Sequence, residues 1–156
     1  MDLAMEESPR AQAGQIKVVI SGTAQVVNPG QQPPKFHPKV GATIMNDSED
    51  LVDVVRILWK VKGANRSESL RTQGHIGKIS GYGEYAFELV DYELEKFVTL
   101  SGSSEFSGGW DGKSFDEVLD IATKLSKHFE VILGFKDANE NSWNLFPDER
   151  GLQPGP

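Results

Sequence analysis

The sequence predicts an α+β domain in which amphipathic helices cover one face of an antiparallel sheet. Three segments carry that expectation: residues 114–129 have the pattern of a capped helix, residues 131–146 that of a β-hairpin, and residues 15–27 that of a long strand.

In the helix, Ser114 and Glu117 have the spacing of a capping box, in which each side chain satisfies an otherwise unpaired backbone N–H. Phe115, Val118, Leu119, Ala122, Leu125 and Phe129 repeat on one face. Asp116 and Glu117 fall in the first turn, and Lys124, Lys127 and His128 in the last, an order that complements the helix dipole. Val131-Ile132-Leu133-Gly134-Phe135 then reads as a strand and Asp137-Ala138-Asn139-Glu140-Asn141 as a turn. Ser142 to Phe146 returns as a second strand, stopped by Pro147.

Upstream, residues 1–14 are polar and unpatterned and are expected to form a disordered arm. Gln15 to Val27 is the long strand, with a bulge or bend at Gly22. Asn28-Pro29-Gly30 is a turn, and Pro33, Pro34 and Pro38 make the next stretch extended and loop-like. Asp47 is placed to cap a helix over residues 48–62 that stops at Gly63, with Leu51, Val52, Val55, Leu58 and Trp59 on one face. The β-branched content of residues 52–61 speaks for a strand instead; a helix is the expectation. Residues 84–90 and 95–100 read as a strand pair around Asp91 to Leu94. Residues 101–112 form a Gly/Ser loop, and residues 148–156 a flexible tail, leaving one domain over residues 15–147.

The resulting order is β-α-β-β-α-β with an added hairpin strand, that of a ferredoxin-like sandwich. Its second sheet face would be open to solvent or a partner. The Val18-Val19-Ile20-Ser21-Gly22 strand, together with the closing helix and the acidic-turn hairpin ending in Trp143 and Phe146, resembles the YubB-type ferredoxin-like domains of plasmids and phages. The resemblance implies a mobile-element accessory protein and no catalytic residues, because that family has no assigned activity.

The 156 residues suffice for one domain with a proper core. No apolar run approaches the roughly 18 residues of a membrane-spanning helix, and residues 1–15 lack the apolar centre of a signal peptide. With no cysteine there is neither a disulfide framework nor thiolate chemistry. A cytoplasmic setting is expected, so Asn65-Arg66-Ser67 is read as a chance match to the glycosylation pattern. A formal net charge of −7 argues against binding along a phosphate backbone and suits a solvated surface or a basic partner.

Gly81-Tyr82-Gly83-Glu84-Tyr85-Ala86-Phe87 resembles the strand signature of RNA-recognition motifs, where glycines and alternating aromatics present stacking rings. Ser80 replaces the basic residue and Glu84 a stacking aromatic, so a strand with one aromatic face in the core is the competing account. Glu84, Glu88, Glu93 and Glu95 would serve acid–base chemistry only if one were desolvated. Their alternation with Ala86, Val90 and Leu94 instead marks a solvated strand edge. His37, His75 and His128 lack ligand spacing, so no metal is expected. Neither a nucleophile elbow nor a phosphate-binding loop is present, and no cofactor is expected. Asp47, Glu49 and Asp50 lack the EF-hand pattern and read as helix-start charge. Trp110-Asp111-Gly112, with Phe106 nearby, places two aromatics in a loop where they must pack or bind.

These observations point to a non-catalytic, acidic binding module that contacts a basic protein partner through Phe106, Trp110, Asp111, Tyr82 and Tyr85. Aromatics would supply buried area and the carboxylates would steer the encounter. The alternatives are a single-stranded RNA-binding domain using the aromatic sheet residues, and a small hydrolase with a His/Glu site built on His37 or His75.

Overall fold

The computed structural model describes residues 9–62, 69–73, 76–101 and 109–155. The class is α+β. In order, these residues form α1 (Pro9–Ala13), β1 (Ile16–Val26), β2 (Phe36–Asn46), β3 (Val52–Val61), β4 (Ser69–Gln73), β5 (Gly77–Ile79), β6 (Glu84–Glu88), α2 (Asp91–Ser101), α3 (Phe115–Ser126), β7 (Phe129–Lys136), β8 (Ser142–Leu145) and β9 (Leu152–Pro154). The strands make two sheets, one ordered β1-β2-β6 and the other β4-β3-β7-β8-β9, with β5 also paired to β3. The opening strand β1 and the hairpin strand β7 therefore lie in different sheets, and the single sheet of the expected β-α-β-β-α-β order is not formed. The chain divides into two compact units. One holds the described residues of Met1–Val19, Thr43–Ala86 and Glu130–Pro156, the other those of Ile20–Ala42 and Phe87–Phe129.

In the first unit, the segment expected to be a helix over residues 48–62 is the strand β3. Val52, Val54, Ile57 and Trp59 are buried along it. It pairs antiparallel with β5, matching Val52 to Ile79 and Asp53 to Lys78, and with β4, matching Ile57 to Gln73. The crowded β-branched side chains that cost a helix rotamer freedom fit a pleated, buried surface. A helix would have left the polar groups of the neighbouring strands without ladder partners.

The hairpin forms as the sequence indicates. β7 and β8 pair antiparallel, with Leu133 opposite Leu145 and Phe135 opposite Trp143. Val131 to Phe135 is buried residue after residue, the mark of a strand covered on both faces. The expected tail turns back instead of trailing off. The Arg150 guanidinium lies 3.9 Å from the centre of the Phe146 ring and binds Asp148 through two nitrogens. The Phe146 N–H donates to the Gly151 carbonyl at 2.8 Å, and β9 then pairs with β8. At the other end, part of the expected arm is ordered as α1, whose Ala13 is buried.

In the second unit, α3 carries the capping box read from the sequence. The Glu117 N–H donates to Ser114 Oγ at 3.2 Å and the Ser114 N–H to Glu117 Oε1 at 3.0 Å. These bonds, the Ser114 backbone donor first, hold the Glu117 carboxyl below its usual range. Val118, Ala122 and Leu125 form its buried face. The segment expected as the strand 95–100 is part of α2. Asp91 and Glu93 occupy its first turn, and Leu94, Phe97 and Val98 share a face at helical spacing. The Phe97 ring stands 4.9 Å from that of Phe129. β2 includes Pro38, placed near the start of the strand in the stretch expected to be loop-like; Pro38, Val40 and Ala42 alternate as buried positions.

Gly22 lies inside β1 against α3. A Cβ there would stand 2.2 Å from the Ala122 carbonyl oxygen, so strand and helix backbones touch. Gly22→Ala must push the two apart, and it is expected to lower stability by about 1–3 kcal/mol or more, measured as a fall in the urea midpoint at unchanged slope.

Candidate functional site

The first unit contains a cleft of about 340 Å³ whose lining includes Gln12, Ser48, Glu49, Asp50, Tyr82 and Asn139. Behind its wall stands Asn46, the last residue of β2, which is fully buried. Asn46 Nδ2 donates to the carbonyls of Asp50 (2.8 Å), Ile79 (3.1 Å) and Ser80 (3.1 Å). Its Oδ1 accepts from the Ser48 N–H at 3.1 Å and faces Ser48 Oγ at 2.6 Å. Ser48 Oγ also lies 3.0 Å from the Asp50 carbonyl. The single hydroxyl proton serves the shorter contact, which leaves Ser48 Oγ as an acceptor toward the cleft.

The loop after β2 is thereby fastened to the turn before β6. The Asn46 N–H donates to the Gly83 carbonyl and the Tyr82 N–H to the Ser48 carbonyl, both at 2.9 Å. A Cβ on Gly81 would meet the Glu49 carbonyl oxygen at 2.1 Å, so only glycine permits this approach. Tyr82 is held at φ +60°, in the left-handed region that a tyrosine rarely adopts, and the residue is 72% exposed. Asp47 caps no helix; it lies 3.3 Å from Lys17 Nζ. Glu49 and Asp50, expected as helix-start charge, sit exposed at the cleft instead.

The opposite wall is the β7–β8 turn. Asp137 is buried, and its carboxylate accepts four bonds: Oδ1 from the N–H groups of Asn139 and Asn141 at 2.9 Å each, Oδ2 from Asn141 Nδ2 at 3.2 Å and Trp143 Nε1 at 3.0 Å. Burial alone would push this carboxyl up; the bonds from Trp143, Asn141 and Asn139 together outweigh it and hold the group below its ordinary value. Asp137 is thus an ionised structural hub with its lone pairs occupied. Gln12 spans the cleft from α1, with Nε2 donating to Ser48 Oγ at 3.1 Å and Oε1 accepting from the Ala138 N–H at 2.9 Å.

The residues singled out from the sequence fall in different places. Tyr82 lines the cleft, but from a turn and not from a strand. Tyr85 lies on β6 and is 37% exposed, while Phe87 two residues on is buried. Trp110 and Asp111 belong to the second unit. Trp110 is half-buried, edge-on to His37 at 5.9 Å between ring centres, and its carbonyl accepts from the Lys113 N–H. Phe115, at the start of α3, packs edge-on against Phe36 at 5.6 Å. Asp111 is exposed. Phe106 and His75 lie outside the described residues. His128 stands 5.4 Å from the Phe97 ring. Of the four acidic residues, Glu84 and Glu88 are exposed on β6, while Glu93 and Glu95 are on α2, so they do not line one strand edge. Among the described residues no group of three or more His, Asp or Glu side chains is arranged to hold a metal ion, and no helix is long and apolar enough to cross a membrane.

Gln12, Asn46 and Ser48 were not foreseen. Gln12 sits in a stretch without periodicity, and the role of Asn46 depends on carbonyls more than thirty residues away in sequence.

No family model and no curated protein matches the chain. Among solved structures, the Northeast Structural Genomics Consortium target SoR45 is similar at a TM-score of 0.39 and 10% identity, over 85% of this chain and 82% of that one. At those values the likeness carries no argument about fold or function.

Two measurements check this construction. Asn46→Ala removes one donor from each of the Asp50, Ile79 and Ser80 carbonyls and the acceptor of the Ser48 N–H, and is expected to cost about 2 kcal/mol in urea unfolding. For Asp137 the folded-state value is depressed, so its stabilisation is complete above the ordinary carboxylate value of about 3.9 and is lost as pH falls through the lower folded value. Trp143→Phe removes one of the bonds that depress it. The variant is expected to lose about 1.5–3 kcal/mol at neutral pH and to unfold at a higher pH than the parent in an acid titration followed by circular dichroism.

Proposed function

We propose that the protein is a binding module for a basic protein partner and that the cleft of the first unit receives a Lys or Arg side chain of that partner. The observation that carries this reading is the lining itself: the exposed Tyr82 ring beside the exposed carboxylates of Glu49 and Asp50, with no Lys or Arg among the lining residues. An aromatic face and a carboxylate are the two groups that together favour an organic cation. The backbone at Tyr82 supports it, since a left-handed tyrosine held with its ring in solvent is a cost that folding alone does not explain. The net charge of −7 adds long-range attraction for the same partner and repels a phosphate chain.

Fluorescence anisotropy with a labelled Lys/Arg-rich peptide tests the reading. Binding is expected to weaken as salt rises. Tyr82→Ala should weaken it about two- to thirtyfold, the range of a cation–π contact worth ~0.5–2 kcal/mol. Glu49→Gln combined with Asp50→Asn should flatten the salt dependence. No binding of basic peptides, or Tyr82-dependent binding of a labelled single-stranded RNA instead, overturns it.

A further inference from the structure

Gln12 occupies one end of the cleft in a way that identifies what this end recognises. Its Nε2 donates to Ser48 Oγ at 3.1 Å and to the Asp50 carbonyl at 3.2 Å, and its Oε1 accepts from the Ala138 N–H at 2.9 Å. The receiving groups are three acceptors on one wall, the Leu51 carbonyl at 3.4 Å included, and one donor on the other. That set complements a carboxamide, which offers two N–H donors and one carbonyl acceptor in a plane. An ammonium has nothing to accept the Ala138 N–H; a carboxylate has nothing to donate to Ser48 or Asp50. The receptor is rigid on both sides: Asn46 orients Ser48, and the Asp137 bonds to Asn139 and Asn141 shape the turn that presents Ala138. The occupant is held more loosely. α1 has five residues, far below the roughly 12–15 at which an isolated helix becomes even marginal, so contacts with the rest of the unit, Ala13 and these bonds among them, hold it in place.

We propose that this end of the cleft is a carboxamide-binding subsite, filled here by the chain's own Gln12, and that an Asn or Gln side chain of the partner enters by displacing it. The partner rests on the basic-partner reading above; the subsite does not, and it is tested first without any charged ligand. Propionamide is titrated into isotope-labelled parent protein and Gln12→Ala, following the Ala138 N–H resonance, with propionate as the control. The expected result is a saturable shift of Ala138 in Gln12→Ala, binding about tenfold weaker or worse in the parent, and no such shift with propionate. Gln12→Glu keeps the shape, loses both donors, and serves as the second vacated subsite if the alanine variant folds poorly. Two basic peptides differing only in Gln versus Leu beside the Lys complete the experiment. Gln12→Ala should bind the Gln peptide at least about fivefold more tightly than the parent does and leave the Leu peptide unchanged. An unmoved Ala138 resonance in both variants, or equal gains for both peptides, overturns the subsite. If propionamide moves Ala138 and neither peptide binds, the subsite stands and the basic-partner reading falls.

Discussion

The buried carboxamide of Asn46 is the interaction on which the candidate site depends. It is fully enclosed, and it uses its donors and its acceptor on five backbone and side-chain groups of residues 48–80. A buried amide without partners would be strongly destabilising. Satisfied in this way, it converts a loop that has no secondary structure into a fixed wall. Ser48 and Tyr82 take their positions from that wall, one through its hydroxyl, the other through its backbone N–H on the Ser48 carbonyl. A polar network of this kind specifies one arrangement because any other leaves several groups unpaired.

Glycine supplies the complementary constraint in each unit. Gly22 lets β1 touch the backbone of α3, and Gly81 lets the turn before β6 touch the Glu49 carbonyl. Neither has the positive φ that makes glycine necessary in a turn; both are required by the absence of a side chain. Close backbone approach is thus the common device, used once to pack a helix on a strand and once to bring an exposed tyrosine beside two carboxylates.

The acidic groups around the cleft divide into two kinds. Asp137 is buried, bonded by four N–H groups and kept ionised, so its charge is spent on the β7–β8 turn. Glu49 and Asp50 are exposed at the same cleft and supply the charge a ligand would meet. This division separates what holds the site together from what gives it a sign. Gln12 completes it by bridging the two walls with a neutral group, which leaves the cleft negative without filling it with charge.

What the sequence determined by itself is local. The α3 cap links residues three apart and the Asp137 turn links residues four apart, so their chemistry is written within a single window. Amphipathic spacing over residues 114–126 and the unbroken apolar run of β7 are legible for the same reason. The tertiary structure decided everything whose partners are distant. Residues 52–61 became a strand because β5, β4 and β7 were there to receive their ladder bonds; the pattern of side chains fits either state. Asp91–Ser101 became a helix because Leu94 and Phe97 found a buried face. The cleft was not legible at all, since Gln12 meets Ser48 across 36 residues and Ala138 across 126. Hydrogen bonds closed over such distances leave no periodicity in the chain, because their geometry exists only after the strands between them have paired.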